Sequence, residues 1–187
     1  MTEIYLLYEI SIWCVQSITL LILGCLVGSL IKLADDISDK NLRINRLFAI
    51  PFGIIYGSLM GYMMIADIDA ALIFGGISLG CLVSGKINSN GHYFGLAAIL
   101  AIVFFNGIKL SPLVFMIAAF AFFDEMGEII KISSMHLVFK YRLFLKIGLF
   151  LLFILDLIGF NGVLLLFAFD FAYILTGRLD SRLVHEI

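Results

Sequence analysis

Charged residues are scarce in this sequence of 187 residues. Asp, Glu, Lys and Arg together make up 14% of the chain and hydrophobic residues make up 63%, which gives a mean hydropathy of +1.13. Soluble domains carry about 25% charged residues, so the composition excludes a soluble protein with one buried core. The formal net charge of −2 also lacks the basic surplus of nucleic-acid-binding proteins, and we expect no nucleic-acid partner.

Cysteine is equally sparse. The three cysteines, Cys14, Cys25 and Cys81, lie in apolar stretches and show no CxxC spacing. Neither a disulfide framework nor a zinc site is therefore indicated. The chain also contains no linker and no low-complexity tract, so we expect residues 1–187 to form a single transmembrane helical domain.

Long apolar runs dominate what is present. A helix needs about 20 residues to cross the hydrocarbon core of a bilayer, and short polar breaks divide the chain into segments of roughly that length or slightly less. The pattern predicts an all-α, polytopic integral membrane protein, a bundle of about seven transmembrane helices that crosses the cell membrane several times. The runs fall at 4–31, 47–66, 68–85, 93–108, 112–134, 144–160 and 162–177.

The basic residues predict the orientation of this bundle. Lys and Arg in short loops stay on the cytoplasmic side of a membrane. With seven crossings and the N-terminus outside, 11 of the 12 basic residues fall inside and only Lys109 falls outside. We therefore expect the N-terminus outside and the C-terminus in the cytoplasm.

Glycines recur at four-residue spacing in the first three helices, for example at Gly24 and Gly28 and again at Gly53 and Gly57. Small residues at this spacing let helix backbones approach closely in lipid. Packing within one chain is the simpler interpretation, and homo-oligomerisation through the glycine stripes is the alternative.

The first helix ends in a cluster of carboxylates. Asp35 and Asp39 stand at positions i and i+4 and share one helix face, and two such oxygen donors suit Mg²⁺, which completes its shell with water and phosphate. The alternative is a solvated helix end in which Asp36 pairs with Lys32 or Lys40.

The fifth helix carries a second acidic cluster. Asp124 and Glu128 have the same spacing, and Asp124 falls within the cytoplasmic half of the expected membrane span. A carboxylate at that depth normally faces a polar cavity, a cation or a basic partner. The alternative is a short helix whose tip reaches water.

A polar segment between the acidic clusters follows the third helix. Lysine supplies a compact positive charge for phosphate, and asparagine amides donate hydrogen bonds to anionic oxygens. We therefore expect a substrate-binding lobe for an anion here, to which basic residues after the first helix add charge. Its members are Arg43, Arg46, Lys86, Asn88, Asn90 and His92.

The segment Asp35 to Asp39, followed by Arg43 and Arg46 and a glycine-rich helix, resembles the aspartate-rich motif of the UbiA-type intramembrane prenyltransferases. The segment Asp124 to Glu128 is similar to their second acidic motif. The resemblance implies an isoprenyl diphosphate held through Mg²⁺ at the cytoplasmic face. It implies metal-ligand roles for Asp35, Asp39, Asp124 and Glu128, with Asp36 and Glu125 in support.

The leading hypothesis is therefore a membrane enzyme that acts with Mg²⁺ on an isoprenoid or other lipid-linked phosphate. Prenyl transfer is one reaction that fits this hypothesis. Membrane lipid and the lipid-linked phosphate are the expected partners. Stabilisation of a departing diphosphate would be the main catalytic effect, with Asp36, Lys86 and Glu125 as the catalytic residues.

Two alternatives remain open at this stage. A cation transporter or channel, or a proton-coupled transporter, would use carboxylates inside the membrane as its path, and the third possibility is a non-catalytic subunit of a membrane complex. The carboxylates of the transport hypothesis are Asp124, Glu128, Asp156 and Asp170. Asp170 has no basic residue within one helical turn, so we expect it to be neutral, hydrogen-bonded or paired with another helix.

Overall fold

The computed structural model describes residues 2–39, 45–130, 138–139 and 141–185, and these residues form helices and turns without a strand. Seven α-helices follow one another in this part of the chain, which confirms the predicted all-α class. They are α1 (Thr2–Ser38), α2 (Ala49–Ala66), α3 (Ile68–Val83), α4 (Asn90–Asn106), α5 (Leu113–Ile130), α6 (Leu143–Ile154) and α7 (Phe160–His185), and a short 3-10 helix, Arg46–Phe48, precedes α2.

Three helical segments are long and apolar enough to cross a membrane: Trp13–Ser38, Arg46–Ala66 and Phe160–Leu179. The helices Ile68–Val83, Asn90–Asn106 and Leu143–Ile154 are apolar but shorter. Large apolar side chains cover the outside of the bundle, and Phe104 and Phe105 are each 82% exposed. Extensive exposed apolar surface is typical of a protein that contacts membrane.

Glycines determine which helices pack most closely. The main helix pairs are α2 with α4, α1 with α7, and α3 with α5. A Cβ atom at Gly57 would overlap the backbone of Gly95, and one at Gly28 would overlap the backbone of Phe169. The glycine stripes are therefore used for packing inside the chain. Homo-oligomerisation stays a prediction.

The middle of the bundle is apolar. Phe74, Ile73, Met63 and Val27 have no exposed surface, and they belong to one buried cluster to which all seven helices contribute. Close packing of this layer fixes the helices against one another. It also separates two ends of the bundle, each of which carries polar residues.

One sequence-based boundary needs correction. The sixth apolar run places Asp156 inside a helix, but α6 ends at Ile154 and Asp156 lies in the turn that follows, with φ of +57°. The amides of Asp156 and Leu157 close this turn by bonding to the carbonyls of Phe153 and Leu152. This is the hydrogen-bond pattern of a Schellman motif, with aspartate where glycine is usual.

Candidate functional site

Charged side chains from six helices or their flanking turns converge at one end of the bundle, which we call the charged end. Because successive helices run up and down, the ends of α1, α3, α5 and α7 meet the beginnings of α2, α4 and α6 here. This convergence is predicted by the sequence, because successive transmembrane helices run in opposite directions. The ionisable partners are Lys32, Asp35, Asp36, Lys86, His92, Glu125, Arg142, Lys146 and Asp170.

Local turn structure places the two site residues that flank the α3–α4 loop. Gly85, with φ of +74°, ends α3, and the Lys86 amide bonds to the Cys81 carbonyl as in a Schellman motif. Ser89, four residues after Gly85, caps α4 by accepting a hydrogen bond from the His92 amide at 3.4 Å. Lys86 and His92 are thus held by helix ends rather than by a free loop.

Asp35 is bound by two side chains from other helices. Its Oδ1 lies 2.7 Å from His92 Nε2, and its Oδ2 accepts a hydrogen bond of 2.7 Å from the Tyr173 hydroxyl. The second ring nitrogen of His92, Nδ1, lies 3.0 Å from the Tyr56 hydroxyl. A continuous chain of hydrogen bonds therefore joins Tyr173, Asp35, His92 and Tyr56 across α7, α1, α4 and α2.

Glu125 bridges two cations. Arg142 donates to its Oε1 at 2.9 Å, and Lys86 Nζ lies 3.2 Å from its Oε2. The Glu125 side chain is only 4% exposed, and removal of one partner from a buried ion pair leaves the other charge uncompensated. Burial alone would lower the pKa of Arg142, but the adjacent Glu125 carboxylate, together with Tyr173, Cys81 and Asp170, outweighs burial and raises that pKa above its usual value.

Arg142 is held in place by more than its ion pair. Its backbone is left-handed, with φ of +49°, which costs about 1 kcal/mol in a non-glycine residue. Its guanidinium carbon lies 4.9 Å from the centre of the Tyr173 ring, a distance typical of a cation–π contact. This arginine, which the sequence analysis counts only towards orientation, is therefore a fixed part of the charged end.

Two further ion pairs flank these groups. Lys32 donates to Asp36 at 2.9 Å, which is the helix-end pairing that the sequence analysis leaves open for Asp36. Lys146 pairs with Asp170 at 2.5 Å, so Asp170 has its partner on another helix, one of the expected outcomes. Buried pairs of this kind cost desolvation energy, and they are weak stabilisers of a fold.

Asp124 has a structural contact that the sequence does not reveal. Its two carboxylate oxygens accept hydrogen bonds from the amides of Phe144 at 3.1 Å and Leu145 at 2.7 Å. The carboxylate, which is 2% exposed, therefore caps the beginning of α6, where a negative charge is favourable.

A cavity of about 80 Å³ lies at the charged end. Its polar wall is formed by Asp35, Tyr56, Lys86, His92 and Arg142. The rest of its wall includes the apolar side chains of Ile31, Met60, Ile77, Leu96, Ile99 and Phe169. The cavity therefore has a polar side that carries Lys86 and Arg142 and a side that is largely apolar.

The structure brings some of the predicted site residues to this cavity and leaves others away from it. Lys86, His92 and Asp35 line it, and Glu125 binds two of its lining residues. Six further predicted residues have described side chains and are not part of the lining: Asp39, Arg46, Asn88 and Asn90, which are exposed, and Asp36 and Asp124, which are buried. Arg43 and the side chain of Glu128 lie outside the described part of the chain.

Two site residues, Tyr56 and Arg142, are not identified from the sequence. Tyr56 lies in a glycine-rich apolar helix and gives no signal of its own there, since aromatic residues are common in membrane helices. Arg142 offers a weak signal, because it lies in a short loop next to helices that carry buried acids. Only the distances between helices distinguish it from other loop cations.

The predicted magnesium site stays a prediction. Within the described residues no group of three or more His, Cys, Asp or Glu side chains is arranged to hold a metal ion. The oxygens of Asp35 and Asp124 accept hydrogen bonds from protein donors, so a cation would have to share or displace those donors. Mg²⁺ commonly uses only one or two carboxylates with substrate phosphate, and that smaller set is compatible with Asp35.

Comparison with protein-family models, curated proteins and solved structures finds no match for this chain.

Proposed function

We propose that this protein is a membrane enzyme that binds a lipid-linked phosphate at its charged end, with prenyl diphosphates as one candidate class. The observation that carries the proposal is the cavity, which combines two permanent cations, Lys86 and Arg142, with an apolar wall. The planar guanidinium of arginine matches phosphate oxygens, and lysine adds a compact charge. The apolar wall accommodates the beginning of the hydrocarbon tail.

Glu125 prepares the two cations for this role. Its carboxylate holds Lys86 and Arg142 in fixed positions beside the cavity, so binding of a phosphate costs less side-chain entropy. Cations fixed in this way also stabilise the charge of a departing phosphate or diphosphate, because they need no reorganisation when the charge develops. In this proposal Lys86 contacts substrate and Glu125 positions Lys86 and Arg142.

The transport alternative has less support. A transporter needs a polar route between the two ends of the bundle, whereas fully buried apolar side chains such as Val27, Ile73 and Leu149 occupy the layer between them. Among the described residues, the ion pairs gather at one end. An enzyme that takes its substrate from one leaflet requires only that end.

Magnesium belongs to the proposal as a partner of the diphosphate. Asp35 lines the cavity and is the predicted ligand best placed to reach a cation there. When bound, Mg²⁺ would neutralise phosphate charge and assist its departure. Lys86, Arg142 and Glu125 perform their binding and positioning roles with or without the ion.

The binding test compares farnesyl diphosphate with farnesol, which has the same tail and no phosphate. We expect only the diphosphate to raise the melting temperature of the detergent-solubilised protein, and we expect Lys86→Gln and Arg142→Gln to abolish the increase. Lys109→Gln is the matched control, because Lys109 is an exposed cation at the opposite end of the bundle. Equal shifts with farnesol, or an unchanged shift in both cavity variants, would contradict the proposal.

The catalytic part has a separate test. The purified protein is mixed with farnesyl diphosphate, Mg²⁺ and a membrane lipid extract, and the release of inorganic diphosphate is measured. We expect release that depends on Lys86. Binding without release of diphosphate would contradict prenyl transfer. The protein would then be a phosphate-binding protein without this activity.

A further inference from the structure

The cavity at the charged end is too small to enclose a whole lipid phosphate. Its volume is about 80 Å³, whereas cavities that enclose a small organic molecule measure roughly 300–1,000 Å³. It therefore has room for the phosphate and only the beginning of a hydrocarbon tail. The rest of the tail must lie elsewhere, either in the surrounding lipid or in a second space within the bundle.

A second and larger cavity lies at the opposite end of the bundle. Its volume is about 650 Å³, and it lies between the turn that joins α2 to α3 and the loop that joins α4 to α5. Its apolar lining residues include Met64, Ile65, Ile68 and Ile108, and its charged lining residues are Asp67 and Lys109. The apolar part of this lining is suited to the end of a hydrocarbon tail.

The two cavities reach the same face of α2. Met60 lines the first cavity and Met64 lines the second, and residues at i and i+4 lie one above the other on a helix. One turn, about 6 Å along the axis, separates the two methionines. Helix α4, which packs on α2, also lines both cavities, with His92 in the first and Asn106 in the second. The cavities are therefore successive spaces along the same pair of helices.

The side chains between the cavities are apolar and can change conformation. Met60 and Met64 are buried, with 3% and 7% exposure, and the unbranched methionine side chain adapts to different surroundings. Gly75 of α3 lies beside Met64, because a Cβ atom added to this glycine would be 3.6 Å from Met64 Cε. No side chain of Gly75 therefore restricts Met64, and the separation between the cavities depends on rotatable bonds.

We infer that the hydrocarbon tail of the bound lipid phosphate runs along α2 past Met60 and Met64 and ends in the larger cavity. The two methionines change rotamer to admit the tail, and the apolar layer that excludes ions accepts hydrocarbon. The inference rests on the proposed phosphate site and adds a tail subsite to it. It narrows the substrate class to long-tailed lipid phosphates, because the rise along α4 from His92 to Asn106 is about 20 Å.

The first test locates the far end of the tail. A geranylgeranyl diphosphate analogue that carries a photoreactive diazirine at this end is crosslinked to the detergent-solubilised protein, and the labelled residues are identified by mass spectrometry. We expect labelling within residues 64–68 or 106–109, and we expect an excess of unmodified geranylgeranyl diphosphate to prevent it. The corresponding geranyl analogue has a tail of half the length and should label the first cavity, near Met60 and Leu96.

Competition by the unmodified diphosphate separates failure of the inference from failure of the phosphate site. Competed labelling by the long analogue at any other position would overturn the inference and leave the phosphate site intact. Leu82 and Val83, which are exposed on α3, are examples of positions that a tail in the surrounding lipid could reach. If no labelling is prevented by the unmodified diphosphate, the phosphate site itself is wrong.

A substitution at Met64 tests the passage between the cavities. Dissociation constants of geranyl and geranylgeranyl diphosphate are measured in detergent by titration calorimetry, and their ratio is compared between variants. Met64→Ala shortens the side chain that the tail must pass, so we expect it to increase the preference for the longer tail roughly three- to tenfold. Met63→Ala is the matched control, because Met63 is fully buried and lines neither of these two cavities.

An unchanged ratio in Met64→Ala, or an equal change in Met63→Ala, would overturn the inference. The labelling experiment needs no variant, so it decides the matter even when Met64→Ala does not fold.

Discussion

The two ends of the bundle use their polar residues differently. At the end opposite the cavity, which we call the turn end, Asp67 caps α3 by accepting from the Ala70 amide at 2.9 Å, and Asp69 accepts from the Gly159 amide at 3.0 Å. At the charged end, side chains from distant helices pair with one another. Asp67 and Asp69 at the turn end satisfy backbone groups that helix ends leave unpaired, whereas the charged end pairs buried side-chain charges across helices.

Asp124 shows that a position at the charged end does not by itself make a residue part of the proposed site. It lies at the charged end, yet it caps α6 in the way that Asp67 caps α3. Its neighbour Glu125 is bound to two cations that line the cavity. Adjacent carboxylates on one helix therefore have separate roles, the first in the fold and the second in the proposed site.

The largest effect is expected from Glu125→Gln. The substitution leaves Arg142 and Lys86 without their shared counter-charge, and breaking a buried ion pair costs about 3–5 kcal/mol. Unfolding in detergent with increasing denaturant measures the loss. Asp67→Asn at the turn end is the control, since an amide oxygen still caps a helix. A loss in the free energy of unfolding no greater than that of Asp67→Asn would contradict this prediction. The ion pairs of Glu125 would then contribute no more to stability than an ordinary helix cap.

Asp124→Ala is expected to have the next largest effect. It leaves the amides of Phe144 and Leu145 without their acceptor, and the loss of a cap together with an unsatisfied donor costs about 1–3 kcal/mol. The same unfolding measurement applies. Binding of farnesyl diphosphate by the fraction that remains folded should persist, because Asp124 is not part of the cavity wall. Loss of binding without loss of stability would assign Asp124 to the site instead.

A magnesium titration separates the two carboxylates further. If Mg²⁺ binds beside Asp35, an ion concentration of ten times its dissociation constant stabilises the protein by about 1.4 kcal/mol. We expect Mg²⁺ to raise the melting temperature of the unsubstituted protein and of Asp124→Asn. We expect no increase in the melting temperature of Asp35→Asn. Equal increases in all three proteins, or none, would remove the predicted magnesium site. Loss in both variants would restore the shared four-carboxylate site that the sequence predicts.

The helices were predictable from the sequence and the contacts between them were not. Apolar runs of membrane length determine where helices form, because the backbone must satisfy its own hydrogen bonds in lipid. Alternating direction then places Asp35 and Lys86 at the same end. Neither rule predicts how each helix is rotated about its own axis. This rotation determines that Asp124 faces α6 and that Asp35 faces His92.

Tyr56 illustrates the same limit. Its position in the wall of the cavity depends on Gly95 in another helix, whose missing side chain makes room for the phenol. The four-residue glycine spacing predicts close approach of helices, yet it does not say which helix approaches which. Asp170 is a parallel case, because the sequence demands a partner for a buried acid and only the packing of α6 against α7 identifies Lys146.

The smallest effect is expected at the turn end, from Ser17→Ala. The Ser17 hydroxyl donates to Asn161 Oδ1 at 2.7 Å and so joins α1 to α7, and a hydrogen bond between membrane helices is worth about 0.6 kcal/mol. Tyr173→Phe removes one hydrogen bond between the same two helices at the charged end. Stability should fall slightly in both variants. Stabilisation by farnesyl diphosphate should fall only in Tyr173→Phe, because that change alone releases Asp35 and alters the contact with Arg142. An equal reduction in Ser17→Ala would show that the two ends are coupled through the apolar layer and are not separate regions.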